Sequence, residues 1–289
     1  MNKTLLYKYM LSLFFTVCII GILGLYIYYA AEVLESLRIE GAVIIVFITL
    51  IRAFILLIIA FYIFNQWFKQ EQQYLSDIPF LFGFFFLVYS FGKALDLLTY
   101  LVYFKIGKDE WLILIKIRYF VVITTFLPMI YLSMAMFLFY LSLKEKFLIF
   151  KISKLKEKEN IRKRKWNITS IIFTIEFILI FISPNTLILS LLLPVFFGFA
   201  LFIIIWMLYF ANKNKALSQI NSKILLHGFL TLLISQIAYA FGRAIIGEWA
   251  IETSAVLFVI IVESMGLIAN VIIFLGFYLK PKYYKVSNN

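Results

Sequence analysis

The chain has 289 residues, 64% of them apolar and 15% charged, with a mean hydropathy of +1.00 and a formal net charge of +12. A soluble domain runs about 45–50% apolar and about 25% charged, so this composition excludes an ordinary water-soluble core and makes the bilayer the solvent. Thirty-three Phe and eighteen Tyr against twelve Gly and five Pro exclude a disordered or collagen-like chain, one Cys excludes a disulfide framework, and one His argues against a histidine-built metal site or haem.

A helix needs about 20 apolar residues to cross roughly 30 Å of hydrocarbon, and eight such stretches lie between charged clusters. In chain order they are 10–31, 41–67, 78–104, 111–143, 166–183, 186–211, 222–246 and 253–279. The expected fold class is all-α, a polytopic helical bundle forming a single integral membrane domain over 1–289. The first stretch follows Lys3 and Lys8 and ends in Ala30-Ala31, as a signal peptide would. Its apolar run of about 20 residues exceeds the roughly 7–15 of a signal core, so it is expected to be a retained helix. The second stretch carries Arg52, the third Lys93 and Asp96, and the fourth Lys116 and Arg118. A basic loop follows over 144–165. The run 166–211 is more than twice a crossing, and Ser183-Pro184-Asn185-Thr186 is a turn sequence that divides it into a hairpin, with Glu176 in its first arm. Arg243 is near the end of the seventh stretch, Glu263 is inside the eighth, and Pro281 is expected to stop that helix.

Orientation follows from the basic residues, because short cytoplasmic loops carry the excess of Lys and Arg. Of the 27, nineteen fall on one side of the eight-helix arrangement and four (Arg38, Lys105, Lys108, Arg243) on the other, while Arg52, Lys93, Lys116 and Arg118 lie within helices. Both termini are therefore expected in the cytoplasm of a multi-pass cell-membrane protein. The same bias accounts for the basic 144–165 loop without nucleic acid. Phe147, Ile149, Phe150, Ile152 and Leu155 among its lysines make an anionic lipid surface one candidate contact, and plain solvation the other.

A charge in hydrocarbon costs at least about 2.5–3.5 kcal/mol at a helix centre, so ionisable residues there face protein or water and are usually paired. Eight qualify as candidate ligand-binding residues: Arg52, Lys93, Asp96, Lys116, Arg118, Glu176, Arg243 and Glu263. Arg52 is about 16 Å from its nearer helix end, Lys93 and Asp96 share a face three residues apart, and Glu176 and Glu263 are each near mid-helix. All eight fall from the midplane outward, and five basic against three acidic groups suit an anionic or carboxylate-bearing ligand in one outward-facing pocket. A plainer reading pairs Arg52 with Glu176 or Glu263 and Lys93 with Asp96, while Lys116 and Arg118 reach outward to the surface. A third makes the carboxylates an ion or proton path. Neighbouring Tyr89, Tyr100, Tyr103, Trp111 and Tyr119 read as packing or interfacial aromatics.

Recognisable catalytic chemistry is missing from the sequence. Asp96 is the one Asp well inside a stretch, so an aspartyl dyad has no second member, and His227 and Cys18 have no evident nucleophilic partner. There is no H-E-x-x-H, C-x-x-C, phosphate loop or G-x-S-x-G, and no lysine in 251–279 for a retinal Schiff base. No enzyme, cofactor or metal is expected.

Pro79-Phe80-Leu81 opens a helix ending Phe91-Gly92-Lys93-Ala94-Leu95-Asp96-Leu97-Leu98. Trp111 then begins a long helix containing Ile117-Arg118-Tyr119 and Pro128, and Ser183-Pro184-Asn185 follows. In this order the chain resembles the seven-transmembrane N-terminal sensor region of bacterial and archaeal histidine kinases, with its Pro-Phe, Trp, Leu-Gln-Tyr, Pro and Thr-Asn-Pro signals, over about 41–280. No kinase sequence follows, and one additional helix precedes the seven. What the resemblance implies is a stand-alone receptor-like bundle that reads a ligand, a lipid or the membrane and signals to a separate cytoplasmic partner through the basic loop. A small-solute or ion transporter using Glu176 and Glu263 is the alternative, and a scaffold subunit a further one.

Overall fold

The computed structural model describes residues 3–39, 41–102, 105–143, 158–215, 220–246 and 254–279. Among them every regular element is a helix: α1 (Lys3–Tyr28), α2 (Ala30–Ser36), α3 (Ala42–Phe68), α4 (Ile78–Val102), α5 (Lys108–Leu143), α6 (Lys158–Ile182), α7 (Thr186–Lys213), α8 (Ser222–Ile246) and α9 (Ser254–Tyr278). The described part of each apolar stretch is helical to within a residue of its ends, but the first, 10–31, runs past the end of α1 at Tyr28 into the start of α2, an unforeseen helix of about two turns. Six helices are long and apolar enough to cross a membrane, over Thr4–Tyr28, Ala42–Phe68, Ile78–Val102, Lys108–Ala135, Lys163–Ile182 and Leu257–Tyr278. The described residues are thus all-helical and of multi-pass membrane type. Shorter apolar helical stretches, Gly198–Lys213 and Ser222–Ala238, belong to α7 and α8.

Boundaries differ from expectation, most at α1, which begins at Lys3 rather than at residue 10, and at the basic segment. The basic segment was read as a loop to residue 165, whereas α6 begins at Lys158, so its last eight residues are helical. Lys, Glu and Arg are strong helix formers, and the ladder continues from the apolar stretch through Lys158-Glu159-Asn160 without needing hydrocarbon around it. Residues 144–157 and Pro281 lie outside the described residues.

Helices α3, α4, α5, α7, α8 and α9 pack each against the next and close a ring, α9 returning to α3. α6 lies outside the ring on α5, while α1 and α2 lie outside it on α4. α4 is accordingly the most enclosed element. Phe82, Phe85 and Phe86 are fully buried and meet Phe126 of α5, Phe229 of α8 and Phe277 of α9. α1 seats Phe14 against Phe84 and Phe91, and Phe15 against Phe61, while Leu13, Val17, Ile20 and Leu23 stay exposed. A helix apolar on every face has that pattern when one side meets protein and the others meet lipid.

Turn chemistry fixes the ends. Asp77 accepts from the backbone N–H of Tyr74 and the indole N–H of Trp67, closing the α3–α4 connection just ahead of Pro79. Asn185 caps α7 by accepting from the backbone N–H of Ile188, as the Ser-Pro-Asn-Thr turn anticipates. The α8–α9 seam depends on small residues: a Cβ at Gly228 would stand 2.9 Å from the backbone nitrogen of Ile273, and one at Gly276 would stand 3.1 Å from that of Leu225. Close backbone approach of this kind is how helices in lipid gain packing without a hydrophobic drive. Gly228→Ala is expected to lower the melting temperature by several degrees, an overpacking cost of about 1–3 kcal/mol. An unchanged melting curve in detergent would show that the seam opens freely.

Candidate functional site

Four ring helices, α3, α4, α5 and α9, each turn a charged side chain into a common centre. Arg52 on α3 is 0% exposed. Its guanidinium donates to Glu263 Oε2 on α9 at 2.6 Å and to the Tyr89 hydroxyl on α4 at 2.6 Å. Lys93 on α4 reaches Glu263 Oε1 at 2.9 Å and Asp96 Oδ2 at 2.8 Å. Arg118 on α5 donates from Nε to Asp96 Oδ1. Arg118, Asp96, Lys93, Glu263 and Arg52 therefore form one line of alternating charge, all buried. Among the described residues three cations face two carboxylates, a formal +1 for the line.

Glycine makes room for it. Gly266 is one turn from Glu263 on α9, and a Cβ there would lie 2.3 Å from Arg52 Cζ. No side chain fits between the guanidinium and the α9 backbone. Among the described residues the Arg52 Nε–H nevertheless has no acceptor, and the Thr49 hydroxyl one turn earlier on α3 and the Asn270 amide one turn beyond Gly266 on α9 have no partner. Each is a buried polar group that desolvation penalises until something pairs with it. From outside the ring, Tyr26 on α1 donates to the Ala94 carbonyl at 2.8 Å and pins α1 to this level of α4.

Of the eight residues picked out in the sequence, five meet here. The expected Lys93–Asp96 pair is present but shared with two further partners, and Arg52 takes Glu263 rather than Glu176. Arg118 corrects the expectation that it reaches the surface, because it turns inward to Asp96. Lys116, two residues away, does point outward and donates to the Phe181 carbonyl at 2.8 Å, near the C-terminal end of α6. Glu176 is in a separate seam between α6 and α5, apart from the charged line. Arg243 is on α8, and its side chain lies outside the described residues. Sequence reasoning passed over Tyr89 as a packing aromatic and did not mark Gly266, Thr49 or Asn270. The signal was available, since Thr49–Arg52 and Glu263–Gly266–Asn270 recur at helical spacing on one face.

Away from this centre, Lys105 meets Glu35 on α2 at 2.5 Å in an exposed pair, and the ammonium holds that carboxyl below its ordinary range. Among the described residues no group of three or more His, Cys, Asp or Glu side chains is placed to hold a metal. Comparison with known proteins gives no match to a family model, to a curated protein or to a solved structure.

Proposed function

We propose that the chain is a receptor-like protein of the cell membrane, with eight crossings and both termini cytoplasmic, whose outward-facing polar centre binds an anionic ligand. The observation that carries this is the line of charge: among the described residues it joins three buried cations to two carboxylates, and a fully buried Arg52 Nε–H has no acceptor among them. An anion brings both the missing charge and the missing acceptor, and a guanidinium is well suited to oxyanions. Because the line joins α3, α4, α5 and α9, a ligand that tightens it alters the packing of four helices together. That supports signalling to a separate cytoplasmic partner, with the basic 144–165 segment as the contact surface.

A transporter drawing on both midplane carboxylates is less well supported, because Glu263 is already held by Arg52 and Lys93. Proteoliposome flux separates the two readings. The direct test is the melting temperature of the detergent-purified protein against short carboxylates, phosphate, sulfate and acidic lipids. Selective binding to the native state raises it, by an amount that grows with ligand concentration over Kd. A saturable rise of several degrees with one class of anion is expected; no shift with any of them defeats the proposal.

A further inference from the structure

Glu176 has an environment unlike that of the charged line. It is 6% exposed, and among the described residues no cation and no hydrogen-bond donor pairs with it. α6 turns Thr169, Ile172, Phe173, Glu176 and Ile180 inward at helical spacing and leaves Ile171, Ile175, Phe177, Ile178 and Phe181 outside. α5 is the helix against the inward face, with Phe120 resting on Phe173 at 6.2 Å and on Phe177 at 5.7 Å.

Among the described residues the charges on the helices around this seam are committed or distant. On α5, Lys116 is held by the Phe181 carbonyl and Arg118 is turned to Asp96, while the Thr124 and Thr125 hydroxyls donate to their own helix at Phe120 and Val121. α7 contributes Leu189 to the apolar cluster that holds Ile180 and has no charged residue before Lys213. The nearest cation on α6 itself, Lys165, is eleven residues off, about 16 Å along the axis. A buried carboxylate with no counter-charge costs several kcal/mol or more, a penalty that uptake of a proton removes. A metal cation would need several oxygen ligands. Among the described residues the unpartnered buried oxygen on this face of α6 is the Thr169 hydroxyl, two turns away at about 10 Å, too far to share an ion with Glu176.

We propose that Glu176 is a proton-binding site, a carboxylic acid kept neutral in the α5/α6 seam that exchanges one proton with the aqueous phase. Losing the proton leaves a bare carboxylate between α6 and α5, so the docking of α6 on the ring is proton-dependent. This stands apart from the anion reading, because none of its groups belongs to the charged line.

The test uses native protein in lipid vesicles and the lipid-soluble reagent dicyclohexylcarbodiimide, which attacks neutral carboxylic acids. The acid proton passes to one carbodiimide nitrogen while the carboxyl oxygen bonds to the central carbon. The acyl group then shifts to the other nitrogen as a stable N-acylurea, so the peptide gains one whole reagent molecule. Glu176 should be labelled at about pH 6.5 and roughly tenfold or more slowly at about pH 10, with the ion-paired Asp96 and Glu263 spared throughout. Glu176→Gln should abolish the label while keeping the melting temperature within a few degrees, because an amide is close in shape to a neutral acid. An unlabelled Glu176, a labelling rate that ignores pH, or a Glu176→Gln protein that melts early would each overturn the proposal.

Discussion

Glu263→Gln and Asp96→Asn should each fail to accumulate or melt far below the native protein, whereas Arg52→Gln, Lys93→Met and Arg118→Gln should remain folded. The asymmetry comes from the order of charges along the line, Arg118, Asp96, Lys93, Glu263, Arg52. Deleting any one cation leaves two cations and two carboxylates, every one still paired. Deleting a carboxylate leaves three cations facing one among the described residues. Without Glu263, Arg52 retains only the Tyr89 hydroxyl. A stranded charge in low dielectric costs about 3–5 kcal/mol in soluble proteins. Loss of a cation removes hydrogen bonds to charged groups worth about 1.5–3 kcal/mol and leaves the remainder balanced. Expression and melting temperature of the five single variants decide it. Cation variants that melt as low as the carboxylate variants would show that charge balance is not what holds the four helices.

The helices were legible in the sequence because hydrocarbon demands unbroken apolar runs, and Pro184-Asn185 marks the one place where such a run must turn. Buried charges were legible as a set for the same reason: each is expensive, so each is conspicuous. Their partners were legible only where the backbone itself dictates them. Lys93 and Asp96 share a face at i,i+3, and Lys116 and Arg118, two residues apart, point to nearly opposite sides of α5. That spacing already implies that both cannot reach the surface, a consequence that the expected outward reach of the two overlooked. Arg52 choosing Glu263 over Glu176 is of another kind. The choice depends on α9 closing the ring beside α3 while α6 stays outside on α5, an order around the bundle that no periodicity encodes. Thr49, Gly266 and Asn270 are uncharged, and their role appears only when the guanidinium is seen lying against Gly266 with its Nε unsatisfied.

Arg52→Gln should fold and yet lose the response to anions, which makes it the variant that separates a binding centre from a structural one. Glu263 keeps Lys93 at 2.9 Å when the guanidinium is gone, so no carboxylate is stranded and the melting temperature should fall by only a few degrees. Gln retains hydrogen-bonding atoms near Tyr89 and Gly266 but neither the positive charge nor the Nε–H. The remaining line, two cations and two carboxylates, has no deficit for an anion to fill. Any anion that stabilises the native protein should therefore bind at least about tenfold more weakly, about 1.4 kcal/mol, which titrated melting curves or calorimetry resolve. Arg52→Lys restores charge without the fork and should recover part of the affinity. An Arg52→Gln protein that still shows the native anion-dependent rise would remove Arg52 from the binding centre. One that unfolds outright would make the line of charge a structural brace whose strength exceeds what its remaining pairs supply.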